Sequence, residues 1–189
     1  MKRMILCIFL ISLFSACAEA TSYDGKWWNA VSKDERTGFL AGYIDCAVYD
    51  AGQKNMADAS WDLLEPRITK FYRGNASDLM KPVATVLVQL SSQGSPQKPK
   101  DGESYSEKHG IFDGEYWRQL LDDERLGFVE GYMVCQKQYK KPAASLSHEA
   151  KWYVAQISKW YGIQPNDPSE INEKRSSKKI ADVLYSFKD

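Results

Sequence analysis

The chain has 189 residues, 43% hydrophobic and 13% aromatic, enough to bury one sizeable core or two small ones. Its 25 basic and 25 acidic residues cancel and are well mixed, so a nucleic-acid partner has no electrostatic support. The composition fits a small folded protein and leaves its chemistry open.

Lys2 and Arg3 precede an apolar run from Met4 to Phe14 and then small residues, the pattern of a secretory signal peptide over residues 1–20. The run is too short for a permanent transmembrane helix, and no later segment is long or apolar enough. Ala18-Glu19-Ala20 and Ala16-Cys17-Ala18 both suit an ordinary signal peptidase. Phe14-Ser15-Ala16-Cys17 instead resembles a bacterial lipobox, with Phe14 where Leu is usual, and would leave Cys17 lipidated. The expectation is export, to the periplasm or to a membrane through Cys17. Either cut removes Cys7, and the folded part keeps Cys46 and Cys135 in a disulfide-permissive compartment.

The stretch from Tyr23 to Tyr49 is written again from Phe112 to Gln138, at a constant offset of 89. Eleven of the twenty-seven positions are identical, where composition alone gives roughly two. The shared residues read Asp-Gly, Trp, Asp-Glu-Arg, Gly-Phe, Gly-Tyr and Cys. This predicts an internally duplicated all-α chain of two pseudo-two-fold-related three-helix units, a first repeat over 21–90 and a second over 111–189.

In chain order, Asp24-Gly25 predicts a helix start, with Asp as the cap for the first free N–H groups. A second start follows at Ser32-Lys33-Asp34-Glu35, a capping box, with the helix running to about Tyr49. Phe39, Tyr43 and Cys46 form an apolar stripe, and Phe128, Tyr132 and Cys135 repeat it. Beside it Gly38, Gly42 and Cys46, and again Gly127, Gly131 and Cys135, recur every four residues, a shallow ridge that lets another helix approach closely. The next helix is expected over Ala57 to Tyr72, burying Trp61, Leu64, Ile68 and Phe71, with a counterpart from Ser147 to Tyr161. Gly74 and Gly162 read as helix stops. A third helix is expected from Asp78 to Leu90, matching Lys178 onward at an offset of 97, with an eight-residue insertion after Tyr161. Residues 91–110, rich in Ser, Gly, Pro and Lys, read as a polar linker.

Cys46 and Cys135 occupy the same position of the two copies, so they can touch only near a pseudo-two-fold axis. If the glycine ridges cross in parallel at Gly42 and Gly131, the Cα atoms lie roughly 5 Å apart in projection and a bond is feasible. An antiparallel crossing opens that to roughly 11 Å and forbids it. Two separately buried thiols are the alternative. A redox role has little support without Cys-x-x-Cys.

Asp34, Glu35 and Arg36, with Asp123, Glu124 and Arg125, suit first-turn acids and local ion pairs better than catalysis. Asp24 and Asp113 read as caps. Asp45 has no acidic counterpart, since Val134 stands there. His109 and His148 are the only histidines, and no metal, nucleophile or phosphate-loop pattern occurs, so no catalytic, cofactor or metal residue is expected. Trp27, Trp28, Tyr116 and Trp117 cluster at the start of each copy and are candidate anchors for a partner.

The Gly-Phe-x-x-Gly-Tyr core, Gly38, Phe39, Gly42 and Tyr43 and again Gly127, Phe128, Gly131 and Tyr132, resembles that of the Rap1a/Tai type of immunity protein. The likeness covers about twenty residues per copy. Here the pattern occurs twice, with Cys where a small residue is common. The resemblance implies a periplasmic protein that binds and blocks a cell-wall-degrading toxin delivered by type VI secretion. The expectation is an exported, non-enzymatic, protein-binding chain, with immunity as the leading role. An envelope lipoprotein or interaction module, and a hydrolase or lyase using Asp45 or the Asp-Glu pairs, are the rivals.

Overall fold

The computed structural model describes residues 22–56, 59–93, 112–139, 146–163 and 173–187. The signal segment with Cys17, His109, the linker from 94 on and most of the insertion lie outside them. The described residues are predominantly helical and contain no strand, which makes the chain all-α. None of their helices is long and apolar enough to cross a membrane.

Helix α1 (Gly25–Ala30) starts where the Asp24 carboxylate accepts from the N–H groups of Lys26 and Trp27 at 2.9 and 3.2 Å. Helix α2 (Lys33–Asp45) starts where Ser32 Oγ accepts from Glu35 N–H at 3.0 Å. It then widens into a π-turn over Cys46–Asp50 rather than staying α-helical to Tyr49, and Ala51 N–H bonds back five residues to the Cys46 carbonyl at 3.0 Å. After a short 3₁₀ turn (Lys54–Met56) comes α3 (Trp61–Gly74), and then a second 3₁₀ turn (Ala76–Met80) capped by Asn75. Helix α4 (Val83–Ser92) follows.

The chain from 112 on holds α5 (Gly114–Gln119), α6 (Asp122–Gln138), α7 (Ala150–Tyr161), α8 (Glu173–Ser176) and α9 (Ile180–Tyr185). Asp113 caps α5 as Asp24 caps α1, and Glu124 accepts from Leu121 N–H at 2.8 Å ahead of α6.

Several expectations need correction. The third helix is split, because a residue before proline is driven out of the α region. Lys81 is extended at ψ 133° and α4 begins only after Pro82. The same break at Lys179 has no proline. There the backbone is held by Ile180 N–H on the Phe112 carbonyl at 2.8 Å, as Val83 N–H is held on Tyr23. Helix α4 also runs to Ser92, into the stretch read as linker. Gly162 ends α7 in the left-handed region at φ 76°, whereas Gly74 is the last residue of α3 and Asn75 beyond it is extended. Phe71 is only half-buried, and Tyr72 fills the core in its place.

Helices α2 and α6 form the centre. A methyl group placed on Gly38 or Gly42 would meet the carbonyl oxygen of Glu124 or Phe128 at 2.0 or 1.9 Å. On Gly127 or Gly131 it would meet that of Glu35 or Phe39, both at 1.9 Å. Each contact repeats the other at the offset of 89. The register advances in the same direction along both helices, so they run parallel. No side chain fits between backbones this close, and only glycine serves. One turn on, Cys46 and Cys135 are joined, with Cα atoms 6.1 Å apart. Enclosure on several sides buries α2 from Gly38 through Asp45 on all faces rather than along one stripe. Around this centre each copy packs its own Trp. Trp28 Nε1–H donates to Thr69 Oγ1 at 2.9 Å and Trp117 Nε1–H to Ser158 Oγ at 3.1 Å, again at the offset of 89.

Candidate functional site

The aromatic cluster expected at the surface is mostly interior. Trp28 and Trp117 are 0% exposed and belong to the core, so neither can meet a partner. Trp27 and Tyr116 are half-buried and lean on Phe39 and Phe128 at centroid distances of 4.9 and 6.2 Å. Large side chains at the start of each copy are needed to fill the space beside the glycine crossing.

The arginines of the two Asp-Glu-Arg motifs hold local backbone turns. The Arg36 guanidinium donates to the Trp28 and Val31 carbonyls and to buried Glu65 at 2.8 Å, and Arg125 donates to the Trp117 and Arg118 carbonyls. Both fasten the α1–α2 or α5–α6 turn. Tyr72 and Tyr161 likewise donate to the carbonyls of Lys81 and Lys178, at 2.9 and 2.7 Å.

The most concentrated polar chemistry lies beside the disulfide. Asp45 ends α2 and Asp50 ends the π-turn. Asp50 faces α6 and α9, and the charges of Asp50 and Lys179 both act on the Asp45 carboxyl. The Asp50 carboxylate accepts from the hydroxyls of Tyr132 and Tyr185 and, at 2.9 Å, from Gln136 Nε2. Gln136 Nε2 also donates to Tyr185, and the two tyrosine oxygens lie 3.1 Å apart. Burial, and then the charge of Asp50, push the Asp45 carboxyl up to about 8, with Lys179 pulling the other way. Tyr132 is also pushed far up, by burial and by its bond to Asp50.

A second buried carboxyl sits toward the other end of the crossing. Glu130 faces the Tyr23 hydroxyl and the Glu35 carboxyl, with Lys151 nearby. Burial, then the Glu35 charge, push it up to about 8. Among the described residues, the buried oxygens Glu130 Oε2 and Gln136 Oε1 find no hydrogen-bond partner.

A carboxyl protonated near neutrality beside a second carboxylate is the arrangement that acid–base chemistry uses. Here three donors already engage Asp50, and the described residues hold no cluster of three or more His, Cys, Asp or Glu able to bind a metal ion. Asp45 was readable in the sequence as an asymmetry between copies. Asp50, Gln136, Tyr185 and Glu130 were not, because none belongs to a shared motif. His148 stacks on Trp152 at 4.0 Å, and Trp152 meets Phe187 edge-on at 6.2 Å. Trp152 is 37% exposed, and Leu63, which holds the same place in the first copy, is 45% exposed.

No family model matches the chain, and neither a curated protein nor a solved structure does.

Proposed function

We propose that this is an exported, internally duplicated binding protein whose two three-helix units are related by a pseudo-two-fold axis, and that it inhibits a secreted cell-wall-degrading toxin. The recurrence of the caps, the tryptophan hydrogen bonds and the glycine contacts at one offset supports the duplication. The disulfide supports an oxidising compartment, the periplasm or an envelope surface reached through Cys17. The observation that carries the binding role is Trp152, a surface aromatic held between His148 and Phe187, with Leu63 exposed at the equivalent position. Aromatic side chains with little freedom left to lose are favoured interface anchors.

The test is co-production in the periplasm with cell-wall-degrading toxins of type VI secretion, scored by lysis. Protection by the wild type, lost in Trp152→Ala and Leu63→Ala, is the expected result. Lysis with every toxin tried overturns the inhibitor role. An intact mass of the exported protein identifies its first residue and any diacylglycerol on Cys17.

Asp45 beside Asp50 favours a second reading, a hydrolase or lyase with Asp45 as the acid. Turnover of purified cell-wall material that Asp45→Asn abolishes would replace the binding role. No turnover by the wild type removes the enzyme.

A further inference from the structure

Lys81 and Lys178 hold the same place in the two copies, at the offset of 97. In the first copy Lys81 Nζ pairs with Asp78 at 2.9 Å and lies 5.2 Å from the centre of the Phe71 ring. In the second, Arg175 stands where Asp78 does and Trp160 stands where Phe71 does. The Arg175 guanidinium and Lys178 Nζ lie 5.7 and 5.8 Å from the centre of the Trp160 ring. Arg175 also donates to the Trp160 carbonyl at 3.4 Å, which holds it at the C-terminal end of α7. Next in the chain, the Lys179 ammonium lies 4.6 Å from the centre of the Tyr49 ring, and that tyrosine is 53% exposed.

Where the first stretch has a local ion pair beside Phe71, the second has two cations beside a better cation-binding ring. Among the described residues Arg175 and Lys178 form no ion pair, whereas the Lys179 charge acts on Asp45, in a chain whose charges cancel overall. Like charges gathered at one ring repel, and an anion docked beside them relieves that repulsion. Trp160 lies eight residues beyond Trp152 on α7, about 12 Å along the same helix and roughly 80° around it, so the two patches adjoin.

We propose that Trp160, Arg175 and Lys178 form an anion-recognition surface that docks carboxylate side chains of an acidic partner protein. The inference rests on the binding role and names the chemistry of the partner beside Trp152. Arg, Trp and Tyr are the residues that dominate protein interfaces, and so few cations give little purchase on a membrane or a nucleic acid.

The test uses the isotope-labelled, oxidised chain and follows the Trp160 indole and Arg175 Nε–H resonances. The probes are an oligoglutamate peptide, phosphatidylglycerol vesicles and inorganic phosphate. The peptide is expected to shift both signals, with the effect lost in high salt. Arg175→Asp, which rebuilds the ion pair of the first copy, should weaken binding about tenfold or more. Lys178→Gln serves as the second variant should Arg175→Asp alter the fold. Undiminished binding in the variants, a response confined to vesicles or to phosphate, or no response at all overturns the proposal. Each outcome is read without a toxin, so failure here is separable from failure of the protection assay.

Discussion

Tyr43 and Tyr132 stand at the same position of the two copies and end in different chemistry. Tyr43 donates to Gln138 at 2.8 Å beside the Tyr139 hydroxyl. Tyr132 donates to Asp50, with Gln136 and Tyr185 on the same carboxylate. Asp50 corresponds in position to Tyr139, Gln136 to Ala47 and Tyr185 to Val88. The α2–α6 crossing places the two tyrosines, while their surroundings come from residues outside the shared motif. The backbone differs with them, since α2 opens into a π-turn where α6 stays α-helical to Gln138. Each pocket also borrows from the other half, so the polar chemistry lies across the junction.

The largest expected effect probes the carboxyl that each copy contributes alone. Folding raises Asp45 from 3.8, and Glu130 from 4.5, to about 8. Both groups are held protonated by the fold, so their contribution is full below about pH 4, where the unfolded chain is protonated too. It is lost as pH rises toward about 8 and levels off above that. Thermal melts across this window should show a falling Tm. Asp45→Asn and Glu130→Gln should each flatten part of the fall, and an unchanged profile in both variants refutes the assignment.

Next is the tie between the halves. The Cys46–Cys135 bond closes a loop of 89 residues, which stabilises by about 4–5 kcal/mol in the chain-entropy model. Cys135→Ser, compared with wild type by urea unfolding, should approach that loss. A loss below 1 kcal/mol argues that the glycine crossing alone holds the halves.

Gly42→Ala and Gly131→Ala test that crossing directly. Each puts a methyl group 1.9 Å from a facing carbonyl oxygen, so each should destabilise by about 3 kcal/mol, and by similar amounts. A marked difference between the two in chemical denaturation breaks the equivalence of the two helices.

The tyrosine pockets should separate by the smallest margin. Asp50→Ala leaves two hydroxyls and an amide without their acceptor and should cost about 2–3 kcal/mol. Tyr139→Phe removes one hydroxyl beside Tyr43 and should cost about 1 kcal/mol or less. Equal losses would show that the carboxylate adds nothing to its pocket.

The repeat, the all-helical class, the aspartate caps and the shared position of the two cysteines were legible in the residues. Caps and helical periodicity are local, so a dozen neighbours suffice to set them. Even the close glycine approach could be read, because two helix-weakening residues kept at four-residue spacing in both copies need a packing reason. Exposure was legible only where helical periodicity marked it, as at Trp61, Leu64 and Ile68, which are buried. Trp28 and Trp117 looked like anchors and fill the core, while Trp152 gave no signal and stands at the surface. Nor was the basic cluster at Trp160 legible, which balanced composition concealed and folding assembled from α7, α8 and the turn before α9.

The sequence by itself determined which segments coil, where several of them begin and which two residues could be bonded across the chain. Those outcomes follow from backbone chemistry repeated at a fixed spacing. Tertiary structure alone decided that α2 is enclosed on every side, that Asp45 is buried within reach of the Asp50 charge, and that Asp50 meets Tyr132 and Tyr185. Burial and charge proximity depend on what the other half of the molecule brings, 82 and 135 residues away in the case of those two tyrosines. No local pattern carries that information.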